Sequence, residues 1–208
     1  MANGDSFVTT GFSKPYVAKY ANTGGTNSYS GGLKLGRGVS VESEIDAPDD
    51  NNFYADNVIA ETESSQFTTG SLTVTIDGLG NDAATLILGL PEPENLQVGS
   101  KPGTQVEMQH FGKAMNAPYV AFAYIRRVMR DNVTYWIPVI HPKTKFSLPS
   151  DSAATQEDQI DWQSQELTAT LFRDDTENAD WKLQSANVMA TEAEAEAVIK
   201  QVLNITDG

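Results

Sequence analysis

Seven consecutive residues, Ser71-Leu-Thr-Val-Thr-Ile-Asp77, alternate polar and apolar side chains without a break. Period two is the repeat of a pleated strand, so Leu72, Val74 and Ile76 should face a core while Thr73, Thr75 and Asp77 face water. The pattern recurs along the chain. Pro15 opens Tyr16-Val-Ala-Lys-Tyr20, with Tyr16, Ala18 and Tyr20 on one face. Leu33 to Ile45 sets Val39, Val41 and Ile45 opposite Glu42 and Glu44, and Gly36 and Gly38 predict a bulge or a close backbone approach. Tyr119 to Arg130 and Val133 to Ile140 read as long strands joined by a turn at Asp131-Asn132. Pro138 and Pro142 push the second of these toward a sheet edge. A further strand runs out at Phe146 and is stopped by Pro149, which has no N–H for a ladder. Ile160 to Trp162 and Leu167 to Leu171 follow in opposite phase, predicting a bulge between them.

Two short helices punctuate this pattern. Asn81 is positioned to cap the first, with Asp82 in its opening turn, Gly89 at its C-terminal end, and Leu86, Ile87 and Leu90 pinning it to a sheet. Thr191-Glu-Ala-Glu194 is a capping box that opens the second, and Ala195, Val198, Ile199 and Val202 follow at helical spacing, a stripe expected to pack on its own domain. Loops are expected at Gly24-Gly25 to Gly31-Gly32, Asp46 to Asn52 and Pro91 to Gly103. The expected fold is mainly β, a β-sandwich or barrel with one short flanking helix and a C-terminal helix. Residues 1–13 read as an N-terminal arm, 14–175 as the β domain with an extended loop over 46–65, and 176–208 as a C-terminal extension carrying the helix.

Of the 208 residues, 28 are Asp or Glu and 14 are Lys or Arg, a net charge of −14. Such a surface repels phosphates and anionic membranes, which argues against conventional DNA binding. There is no cysteine, so disulfides, thiolate metal sites and thiol nucleophiles are all excluded. Met1-Ala-Asn-Gly-Asp5 lacks the basic start and apolar run of a signal peptide, and no apolar stretch approaches a membrane span; a soluble protein made in the cytoplasm is expected.

No constellation of catalytic residues emerges. His110 and His141 are far apart and neither has a His-x-His or Glu-x-x-His partner, so no metal is expected. The acidic run Asp46, Asp49, Asp50, Asn51, Asn52 lacks the central glycine and terminal glutamate of an EF-hand loop and reads as a solvated turn. Gly31 to Gly38 is not closed by Lys-Ser/Thr, so it is no phosphate loop. No cofactor is expected and the chain is not read as an enzyme. Phe53 and Tyr54 border a loop and carry two open readings: rings folded onto their own core, or rings in a subunit interface, where aromatics are enriched.

Three segments taken together carry a resemblance. Phe146-Ser-Leu-Pro-Ser-Asp151 followed by Thr155-Gln-Glu-Asp-Gln-Ile160-Asp-Trp162, then Phe53-Tyr-Ala-Asp-Asn57, then Tyr119-Val-Ala-Phe-Ala-Tyr124 match in order and spacing across roughly Tyr16 to Leu171. In these the chain resembles the major tail proteins of long-tailed, non-contractile phages. The resemblance implies a virion protein whose copies form hexameric rings stacked into a hollow tail tube, assembled in the host cytoplasm, through which DNA passes without specific binding. It implies as partners the chain itself, a tape-measure protein, a tail terminator and a distal tail protein. Asp49, Asp50, Phe53 and Tyr54 become candidate contacts between subunits, and strand-borne Glu42, Glu44 and Asp77 candidate acids facing the lumen. Two alternatives stand beside it: the tube protein of a contractile injection system, and an acidic β-sandwich binding module, for example for carbohydrate.

Overall fold

The computed structural model describes residues 6–99, 105–150 and 163–206. Its strands are β1 (Val8–Thr23), β2 (Thr26–Lys34), β3 (Gly38–Asp46), β4 (Asn51–Ala55), β5 (Val58–Glu63), β6 (Thr69–Ile76), β7 (Glu94–Gln97), β8 (Gln105–Met108), β9 (Val120–Arg130), β10 (Val133–Phe146), β11 (Gln165–Phe172) and β12 (Leu183–Gln184). The helices are α1 (Asn81–Leu88) and α2 (Glu192–Val202). The fold is mainly β. Eight strands form one sheet in the order β2-β1-β9-β10-β11-β6-β3, with β12 on β10, and every pairing is antiparallel.

The alternation in β6 places Leu72, Val74 and Ile76 in a core shared with Val17 of β1, Phe122 and Tyr124 of β9, and Leu167 and Leu171 of β11. Inward residues from both halves of the sheet meet there because the sheet rolls on itself. Its last strand, β3, returns to β1, where any side chain at Gly38 would run into the Phe12 ring. The close approach expected at Gly38 is this contact, and the ladder shifts register between Gly38 and Ser40.

Val120 to Ile125 is apolar at every position, as a strand buried on both faces requires. Ala121, Ala123 and Ile125 turn away from the first core and meet Ala195, Ile199 and Leu203 at α2. Two alanines on that face let the helix lie close. The capping box forms as expected: Thr191 Oγ1 accepts the Glu194 N–H at 3.2 Å, and Glu194 Oε2 accepts the Thr191 N–H at 3.2 Å.

Several expectations change. Residues 8–13 are not an arm; they begin β1 and pair with β9 from Val8↔Met129 to Ser13↔Ile125. The glycine-rich loop contracts to a turn at Gly24 and Gly25, both at positive φ, and the residues behind it form β2. Asn81 is the first helical residue of α1 and Gly80 its cap, whereas Gly89 ends it in the left-handed region as expected. The stretch from Pro91 to Gly103 contains β7 rather than loop alone. β10 is central rather than at an edge and runs on to Phe146: Pro138 stands opposite Ile125 of β9 and its carbonyl accepts the Ser185 N–H at 3.3 Å, while Pro142 lies in a register shift. The extension after 175 is part of the fold, through β12, the Trp136↔Met189 bridge and α2. Val39 and Ile45 are 60% and 40% exposed, so β3 is covered far less than its pattern implies. The strand expected at Ile160 to Trp162 lies outside the described residues.

Candidate assembly surfaces

β4 and β5 form a hairpin that pairs with no other strand among the described residues. Its turn, Asp56-Asn57, holds both residues at positive φ, 52° and 64°, the geometry that short Asp and Asn side chains tolerate best. Asp50 Oδ1 accepts the Ser65 N–H at 2.7 Å and Thr62 Oγ1 donates to Asn52 Oδ1 at 2.7 Å, which fastens the base. Successive side chains point to opposite faces, so Phe53 leaves one side and Tyr54 the other. Both rings are exposed, at 65% and 62%, and Val58 and Ile59 beside the turn are equally open. Neither ring folds onto the core of its own chain. Asp49, Asp50, Phe53 and Tyr54 are thus brought together on one projection, with one oxygen of Asp50 committed to its base. The Asp56-Asn57 dipeptide was the signal for this hairpin, the same chemistry that marks Asp131-Asn132.

β7 and β8 form a second free hairpin with a different character. The register sets Leu96 opposite Val106 and Glu94 opposite Met108, while Asn95, Gln97, Gln105 and Glu107 occupy the other face. One side is therefore largely apolar and exposed, the other wholly polar. Its short strands, flanked by Pro91, Pro93 and Gly99, give too little alternation to be read from sequence.

The three candidate lumen acids do not stand alike. Glu42 and Glu44 are exposed on β3 and lie opposite Thr73 and Ser71 of β6. Thr168 and Thr170 of β11 continue the same row, giving a face of hydroxyls and carboxylates. Asp77 lies beyond the end of β6 and is bound to Arg37: Oδ2 meets the guanidinium Nε at 2.5 Å and Oδ1 accepts the Arg37 N–H at 2.8 Å. These bonds to Arg37 hold its carboxyl below the usual range. Asp77 serves as a clamp on the turn before β3 rather than as a free surface charge.

Of the two histidines, His110 is exposed beside Glu94 at 3.1 Å and His141 is buried. Among the described residues no group of three His, Asp or Glu side chains could hold a metal ion. No helix among them is long and apolar enough to cross a membrane. The cavity of about 650 Å³ between the start of β3 and α1 is lined by residues such as Leu33, Arg37, Asn81 and Asp82 and carries no aromatic ring. In comparison with known proteins, no family model and no curated protein matches this chain.

Proposed function

We propose that the chain is a structural subunit that assembles with copies of itself into stacked hexameric rings, the hollow tube of a long non-contractile phage tail. The β4–β5 hairpin carries the reading. It stands off the sheet with Phe53 and Val58 on one side and Tyr54 and Ile59 on the other, all exposed. A two-stranded hairpin is marginal alone in water, and apolar side chains on both of its faces gain burial only if it enters between other surfaces. A head-to-tail ring supplies such surfaces, because it joins different faces of each copy. The edges of the end strands β2 and β3 offer backbone groups for pairing across the ring.

A duct for DNA must not hold it, and phosphate contacts with Lys and Arg supply most non-specific affinity. The Glu42 and Glu44 face, with its serine and threonine hydroxyls, suits such a wall. Tape-measure, terminator and distal tail proteins are the partners this role requires, with assembly in the host cytoplasm and residence in the virion tail. A carbohydrate-binding module, for which the cavity of Leu79, Ala84, Phe111 and Leu148 offers one exposed ring, would instead remain a monomer.

Negative-stain electron microscopy of the purified chain, concentrated in moderate salt, tests the proposal. Rings or hollow tubes with six-fold end views are expected, and deletion of Asp49 to Asn52 should abolish them while leaving a folded monomer. A monomer at every concentration and salt, or tubes unaffected by the deletion, would overturn it.

A further inference from the structure

Charge is segregated along this chain. From Gly38 to Ser100 there are twelve Asp and Glu and no Lys or Arg; from Tyr119 to Phe146 there are five Lys and Arg and one acid, Asp131. The first stretch holds β3 and the β4–β5 hairpin, the second is β9 and β10. Arg126 and Arg130 sit on the same face of β9 as Phe122 and Tyr124. The Nε of Arg126 is buried with no hydrogen-bond partner among the described residues. Lys182, just before β12, is half-buried, and burial first and the Arg126 charge second lower its pKa. Neither Arg126 nor Lys182 makes an ion pair with a described residue. The Arg130 guanidinium lies over Phe7 at 4.9 Å and Tyr135 at 5.7 Å from the ring centroids, and 4.0 Å from Asp131.

Half-burying two cations on one face without a carboxylate is costly, and the cost is removed when an acid arrives from outside. In a chain with twice as many acids as bases, leaving these two without a carboxylate among the described residues points to a partner. We infer that this row of cations, with Arg130, Arg126 and Lys182 abreast of Val133, Ile137 and His141 of β10 and the Phe7 and Tyr135 rings at the Arg130 end, receives the β4–β5 hairpin of a second copy. The inference rests on the self-assembly reading and names the face that completes it.

The chemistry matches on both counts. The hairpin presents Asp49, Glu61 and Glu63 around Phe53 and Tyr54, and guanidinium groups bind carboxylates by charge-assisted hydrogen bonds and stack on rings. Hairpin and receiving surface are different parts of each copy, so the contact is heterologous and can propagate.

Two full-length charge-reversed proteins test this: Arg126→Glu with Lys182→Glu, and Asp49→Lys with Glu61→Lys and Glu63→Lys. Each is first checked for the wild-type near-ultraviolet circular dichroism, and a neutral Arg126→Gln, Lys182→Gln protein replaces the first if it misfolds. Sedimentation should give at least tenfold less assembled material for each alone. An equimolar mixture of the two charge-reversed proteins should regain it, because each hairpin then finds a receptor of opposite charge; the neutral protein tests only the loss. The hairpin variant is less acidic overall than the wild type, so general repulsion predicts better assembly for it and the receptor predicts worse. Folded variants that assemble like the wild type, or a mixture that stays unassembled, overturn the receptor while leaving wild-type assembly standing. A wild type that does not assemble removes the reading beneath it as well.

Discussion

Lys14 of β1 forms an ion pair with Glu196 of α2, joining residues 182 positions apart. Lys14 reaches out from a bulge, at φ 51° and within the register shift of β1 against β9 between Ser13 and Tyr16. The Tyr16 hydroxyl donates to the same carboxylate at 2.5 Å, and Ser13 Oγ donates to Glu192 one turn earlier, also at 2.5 Å. The helix is thus fastened along its polar flank as well as by Ala195, Ile199 and Leu203 beneath it.

This clasp predicts an acid response. Burial alone would raise the Glu196 carboxyl, but Lys14 and Tyr16 outweigh it and hold it at about 2 against an ordinary 4.5. A carboxyl lowered on folding stabilises the native state in full above about 4.5, and that contribution is lost as pH falls toward about 2. Glu196→Gln should therefore cost stability at neutral pH, on the order of 1–3 kcal/mol for a charged hydrogen-bonded group. The gap from wild type should close between those pH values. Urea denaturation followed across pH 7 to 2 measures it; a gap independent of pH would refute the assignment.

His141 predicts a second window at higher pH. Its ring lies among Phe122, Tyr124 and Trp181, and Nδ1 is 3.3 Å from the Trp181 carbonyl, which fits a proton on that nitrogen. Burial lowers its pKa most, the Trp181 bond opposes this and the Lys182 charge adds to it, leaving about 4 against 6.5. The unfolded chain binds the proton first, so stability is lost as pH falls from about 6.5 to about 4. His141→Phe keeps an aromatic ring at this position and removes the titration. Phe is larger than His and cannot donate to the Trp181 carbonyl, so a pH-independent cost on the order of 1–3 kcal/mol is expected at pH 8, and the difference from wild type should move in the variant's favour as pH falls to 5. Equal pH profiles for the two proteins would rule this out.

What was legible in the sequence follows from how local its cause is. Leu72, Val74 and Ile76 announce their strand because one pleat sets all three, and Asp131-Asn132 and Thr191 to Glu194 announce a turn and a cap within four residues. β2 is not announced: Asn27, Ser28, Ser30 and Gly32 become strand because β1 pairs with them and Ile205 closes over Gly32. Thr9 to Ser13 likewise owe their strand to β9. The hairpin residues Phe53 and Tyr54 were legible as candidates, whereas their lack of a core contact was not. Arg126 and Lys182 come onto one face only through the pairing of β10 with both β9 and β12, so no motif could have joined them.

Ionic strength separates the two electrostatic terms in assembly. Each copy carries −14, so copies repel over distances that salt screens within about 8–10 Å near physiological strength. The hairpin acids and the Arg126–Lys182 surface meet instead at contact distance, half-buried, where screening is weaker. Raising salt from about 0.01 M, where the Debye length is about 30 Å, to about 0.1 M should therefore promote polymerisation, read by light scattering at fixed protein concentration. Low-salt tubes that dissolve on adding salt would contradict this, because local attraction would then have to outweigh the repulsion of the whole surface.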